Sequence, residues 1–154
     1  MRHDAGRRVM GSAILENCTM KILLGTTLLL ASLSAFAHEP VYNQESIKVL
    51  QEHALSNVPG KKTIMLTVDY APGQATVPHS HTGTAVVYVL EGEITSRVND
   101  EPAITYKAGQ SFYEPAGSRH FESSNASQTQ PARLLVVMVL DDKADVLTPL
   151  PVQN

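Results

Sequence analysis

Turn-forming residues punctuate this chain so closely that short strands are the natural way to connect them. Ala71-Pro72-Gly73, Glu91-Gly92-Glu93, Asn99-Asp100-Glu101-Pro102, Ala108-Gly109 and Pro115-Ala116-Gly117 follow one another within a single stretch. The runs between them are rich in β-branched and apolar residues. Thr63 to Tyr70 reads as a strand. Thr84 to Val98 reads as two strands broken at the glycine turn. Ala103 to Lys107, Gln110 to Glu114 and His120 to Ser123 are short strands, and Ser124 to Pro131 is a polar loop. Arg133 to Leu140 is almost wholly apolar, the pattern of a strand buried on both faces. Ile47 to Leu55 fits a helix about as well as a strand; we assign it as an edge or swapped strand. The expected fold is all-β, a closed barrel or jelly roll of seven or eight short strands.

The N-terminal region has a different character. Met20 to Ala37 has one basic residue, Lys21, then an apolar run from Ile22 to Leu33, then Ala35-Phe36-Ala37. This is the pattern of a secretory signal peptide cleaved after Ala37, with Met20 as the true start; the apolar run is too short to span a bilayer. The expected organisation is a leader over 1–37, an N-terminal segment over 38–60, a barrel over 61–141 and a tail over 142–154. Cleavage would make His38 the first residue and leave 117 of the 154 residues, enough for one ordinary domain. The single cysteine, Cys18, would go with the leader, so the exported protein would have no disulfide. Of 12 basic and 15 acidic residues, the leader takes Arg2, Arg7, Arg8 and Lys21, and Asp4 and Glu16. The remaining 8 and 13 give a net charge of −5, which argues against nucleic acid and anionic membranes as partners. The expected location is periplasmic or secreted. A glycosylation acceptor, Asn125-Ala126-Ser127, matters only in a glycosylating host.

His79 and His81 flank Ser80 just before the strand at Thr84. On an extended backbone, residues i and i+2 share a face, so both imidazoles point one way. The next positions of that parity, Gly83, Ala85 and Val87, offer no carboxylate. His120, after the Pro115–Gly117 turn, is the candidate third partner. Three imidazoles on rigid strands leave coordination positions open and suit Zn, Fe, Ni or Cu rather than Mg or Ca.

Two motifs carry a family resemblance. Gly73, five residues, His79-Ser80-His81, three residues, Ala85, six residues and Gly92 follow the pattern G-x5-H-x-H-x(3,4)-E-x6-G, except at Ala85. Gly109, five residues, Pro115-Ala116-Gly117, two residues and His120 follow G-x5-P-x-G-x2-H-x3-N, with Ser124 at the asparagine position and Asn125 one residue late. Together these resemble a small single-domain cupin over roughly Lys61 to Leu140. The resemblance implies a jelly-roll barrel with His79, His81 and His120 as ligands to a divalent transition metal, one of Fe, Zn, Mn, Ni or Cu. Ala85 stands where the family's glutamate ligand belongs. Thiol and diketone dioxygenases of that family are similar in using three histidines without it. Such a centre keeps a charge of +2 and favours an anionic chelating ligand.

Ala85, Tyr88, Phe112 and Glu114 are the candidate pocket residues, and Glu114 is a candidate substitute carboxylate. Tyr113 and Phe121 are assigned to core or pocket wall. Three functions are open at this level: a metal-dependent oxygenase-like enzyme, a binding protein for a small and perhaps anionic ligand, and a structural cupin with a vestigial site. The apolar, weakly patterned Tyr42 to Pro59 segment is a strand donor for an expected homodimer.

Overall fold

The computed structural model describes residues 41–151 apart from 43. The leader expected over 1–37, its cleavage site and His38 lie outside the described residues. Among the described residues every regular element is a strand. They form two sheets facing one another.

The first sheet has five strands, in the order β2 (Ser46–Ala54), β3 (Lys61–Tyr70), β11 (Ala132–Asp141), β6 (Thr84–Glu91) and β9 (Ser111–Glu114). All its pairs are antiparallel. Alternation is clean on β3, where Ile64, Leu66, Val68 and Tyr70 are buried, and on β6, where Ala85, Val87 and Val89 are. Strand β11 lies at the centre, with β3 and β6 on its two edges. It was expected to be buried on both faces. Its inner residues Leu134, Val136, Met138 and Leu140 are buried, but outward Leu135 and Val137 are only half-buried and Val139 is exposed. The neighbouring strands cover its edges; among the described residues no second layer covers its outer face.

The second sheet is built on β10 (Arg119–Asn125). On one edge β10 pairs β7 (Glu93–Val98), which pairs β8 (Ile104–Lys107). On the other edge β10 meets β4 (Gln74–Thr76) and then β5 (His79–Ser80). Outer positions are taken by β1 (Val41–Tyr42), parallel to β4, and β12 (Thr148–Pro149), antiparallel to β5.

Two bulges explain where the sequence pattern is hard to read. One falls between Val49 and Gln51, so Ile47 and Val49 keep one parity and the residues after Leu50 take the other. That breaks the alternation that would otherwise mark β2 as a strand. The other falls between His120 and Glu122, so the inward residues of β10 are His120, Ser123 and Asn125. Strict alternation would have turned Ser124 inward. The bulge instead buries Asn125, whose side chain donates to the Ala71 and Gln130 carbonyls and accepts from the Ser127 amide. The asparagine that stands one residue late in the sequence is therefore in phase in the fold.

Candidate metal centre

Strand β5 is only two residues long, but its register is fixed on both sides. His79 lies opposite His120 on β10, and Pro149 of β12 lies opposite His79. His81 is tied to the turn before β10: its amide donates to the Ser118 carbonyl, and the Gly117 amide donates to its carbonyl. That turn needs Gly117, whose φ of 76° lies in the left-handed region that glycine adopts without steric cost. The result is that His79, His81 and His120 are 4%, 7% and 3% exposed and converge inside the barrel.

Glu114 joins them. It is 3% exposed and sits at the end of β9, directly across from Ala85. One ligand atom from each of His79, His81, Glu114 and His120 lies within 4.8 Å of all the others. The position that lacks a carboxylate thus has one as its cross-strand neighbour, where side chains stand about 4.5–5.5 Å apart on the same face. Glu114, the candidate substitute carboxylate, is placed beside the three histidines.

The hydrogen bonds behind the site fix which nitrogens face it. A carbonyl can only accept, so His79 Nδ1–H donates to the Val77 carbonyl (2.7 Å) and His81 Nδ1–H to the Val146 carbonyl (2.6 Å). Both Nε2 atoms then carry lone pairs, yet they lie 3.0 Å apart. His120 Nε2 lies 2.8 Å from Ser96 Oγ, which accepts its proton in the tautomer that leaves Nδ1 for the site. Glu114 Oε2 is 3.1 Å from His81 Nε2 and 3.3 Å from His120 Nδ1, but makes no well-formed hydrogen bond and is buried. Lone pairs and an orphaned carboxylate oxygen aimed at one point can serve as the donor set of a divalent cation. Outer acceptors on each ring are how proteins orient histidine ligands. This buried cluster can hold a metal ion.

The electrostatics agree with that arrangement. Burial is the largest influence on His79 and lowers its pKa to about 4, so it stays neutral. At Glu114 burial opposes the charge, but the close approach of His120 and His81 outweighs it, holding the carboxyl down at about 2. At His81 burial also opposes the charge, and Glu114 with the Val146 carbonyl outweighs it, raising the pKa.

Around the ligands, Leu66, Val87, Phe112 and Met138 wall a cavity of about 60 Å³. Phe112 is buried and lines the cavity, and Ala85 is buried on the inward face of β6. Tyr88 does not: the alternation that turns Ala85, Val87 and Val89 inward turns Tyr88 to the outer face, where it is 44% exposed. Tyr113 is likewise outside, and the Arg97 and Arg119 guanidinium groups lie 4.9 and 5.0 Å from the centre of the Phe121 ring. Sequence reasoning missed three contributors. Ser96 carries a weak signal, a polar residue at an inward position of β7. The carbonyls of Val77 and Val146 carry none, because any residue supplies one.

Residues 66–138 match the Cupin domain family. The chain is 37% identical over 89 residues to a germin-like protein of Arabidopsis thaliana (subfamily 2 member 2), covering 53% of this chain and 40% of the relative. It is 35% identical over 79 residues to the rhicadhesin receptor of Pisum sativum, covering 46% and 36%. It therefore spans well under half the length of these plant relatives. Among solved structures, the TT1209 protein of Thermus thermophilus is 30% identical with a TM-score of 0.50, over 63% of this chain and 86% of that one. An oxalate oxidase solved with glycolate has a TM-score of 0.54 at 22% identity, over 70% and 55%. A cupin-like protein of Thermotoga maritima has 0.53 at 21%, over 68% and 74%. The last two speak for the fold alone. Two facing sheets, the paired histidine motifs and the match over 66–138 make this chain a member of the cupin superfamily.

Proposed function

We propose that the protein is an exported metallo-cupin that holds one divalent transition metal through His79, His81, His120 and Glu114 and acts on a small anionic molecule. The observation that carries this is the convergence of four buried ligand atoms within 4.8 Å, backed by an acceptor for the far nitrogen of each imidazole. Fe, Mn, Ni or Cu there would supply Lewis-acid and one-electron chemistry; Zn would supply the first alone. The protein's own part is to aim three imidazoles and one carboxylate at a single point and to surround them with apolar walls. With a divalent ion that set carries a net charge of +1, which favours an anion at the remaining positions. Ala85 argued for a vestigial site; Glu114 beside it removes that ground.

Elemental analysis of protein purified without a nickel column tests the centre. About one transition metal per chain is expected, falling to background in His120→Ala. Full occupancy in that variant would overturn the assignment. Oxygen uptake with small hydroxy and oxo acids separates an oxygenase-type enzyme from a protein that only binds. Export is tested by intact mass, since cleavage after Ala37 leaves His38 first. A homodimer is supported by β2, an edge strand with all nine residues exposed; a monomer by light scattering at high concentration would remove it.

A further inference from the structure

The metal cavity is small. At about 60 Å³ it has room for about four water-sized groups, at roughly 10–15 Å³ each. A ligand reaching the four donors can place only a few heavy atoms there. Next to it lies an open groove of about 980 Å³. Ile47, Thr76 and Leu147 line both spaces, so they form the threshold between them. Beyond the threshold the groove is walled mainly by Pro78, Phe121, Pro149 and Leu150. Arg119 and Glu45 are its charged members. Glu45 Oε2 is buried there without a hydrogen-bond partner among the described residues.

The groove is made by the segment after β11. Strand β12 pairs with β5, and the Leu150 amide donates to the Pro78 carbonyl, so the same strap that orients His81 through Val146 also supplies one wall. A chamber whose mainly apolar walls hold one cluster of metal-ligating side chains and a much larger, mainly apolar groove meet at one threshold. That combination fits a ligand with two unlike ends.

We propose that the groove is the tail site of the metal centre, and that the ligand is a small carboxylic acid with a chelating head and a hydrocarbon body of several carbons. The head reaches the His79–His81–His120–Glu114 cluster, and the body lies over Phe121, Pro149 and Leu150. This rests on the metal reading above and adds the substrate class to it.

The test is calorimetric titration of the full-length, Co²⁺-loaded protein with unbranched 2-oxo acids: pyruvate, 2-oxopentanoate and 2-oxooctanoate. Affinity should rise between about twofold and fourfold for each methylene that enters the groove. Leu150→Asp and, separately, Phe121→Ala should weaken 2-oxooctanoate at least tenfold while leaving cobalt content and pyruvate affinity unchanged. A flat series in the parent protein, as expected if a second copy or another part of the chain fills the groove, overturns the proposal. Failure of pyruvate to bind the cobalt form overturns the anion-binding part of the proposed function instead. In that case the same series on metal-free protein decides the groove: a slope sustains a tail site and its absence removes it.

Discussion

The two sheets divide the labour of the molecule. Four strands of the five-stranded sheet run 8–10 residues, and the inward faces of β3, β6 and β11 are almost purely apolar. In the other sheet no strand exceeds 7 residues, and its inward positions include Gln74, Thr76, His79, Ser96, His120, Ser123 and Asn125. One sheet supplies the apolar burial that drives folding; the other presents polar groups that burial alone would penalise. Among the described residues Glu114 is the one buried charged side chain on the apolar sheet, and it points at the histidines of the other. A polar site on a small domain is tolerable when its polar atoms satisfy each other, or a shared ion, across the gap between sheets.

Substitutions on the two sheets should therefore differ in kind. Met138→Ala, at the centre of the apolar sheet, should cost ~2–5 kcal/mol of stability in denaturant unfolding of the metal-free protein. A loss below 1 kcal/mol would show that the apolar sheet is not where stability resides. Glu114→Ala should instead remove metal, lowering affinity by at least about a hundredfold, while costing little core packing. Adding Ala85→Glu to Glu114→Ala moves the carboxylate to the neighbouring strand on the same face and should recover most of that affinity. Ala85→Glu alone sets two carboxylates side by side and should destabilise the metal-free protein. If the double variant binds metal no better than Glu114→Ala, the two positions are not equivalent.

Smaller effects sharpen the contrast. Ser96→Ala deprives His120 Nε2 of its acceptor and should weaken metal binding by about 10–100-fold without loss of any ligand. Tyr70 reaches from the apolar sheet to hydrogen-bond Thr76 and Ser123 on the polar one. Tyr70→Phe should cost ~1–3 kcal/mol, because two buried hydroxyls lose their shared partner. Burial raises the Tyr70 pKa to about 12 from 10.0. The stability it contributes is full below pH 10 and is lost as pH rises through 12; in Tyr70→Phe that alkaline loss should be absent from unfolding curves. Smallest of all, Tyr113→Glu on the outer face should shift monomer stability by within about 0.5 kcal/mol, and any larger change should depend on protein concentration.

Much of this division is legible in the sequence, because its signals are local. The turns fix where strands end, alternation marks the inward residues of β3 and β6, and the spacing of two motifs brings three histidines together. Tyr88 could have been placed outside by the same alternation, counted from Ala85. Glu114 was harder, because which way β9 faces depends on its register with β6, and that pairing joins residues far apart in the chain. Bulges at Leu50 and Phe121 change parity without a marker such as glycine or proline. The strap over 142–150 has no alternating pattern, since much of its hold is through backbone groups.

The bond from His81 to the Val146 carbonyl spans 65 residues. On the ribosome, a chain that has reached the end of β11 has all four ligands and nearly all of its core, but not the acceptor that aims one of those ligands. The sheets can thus pair before the acceptor for His81 has docked. A protease that trims the strap should leave a folded barrel in which His81 is less firmly aimed.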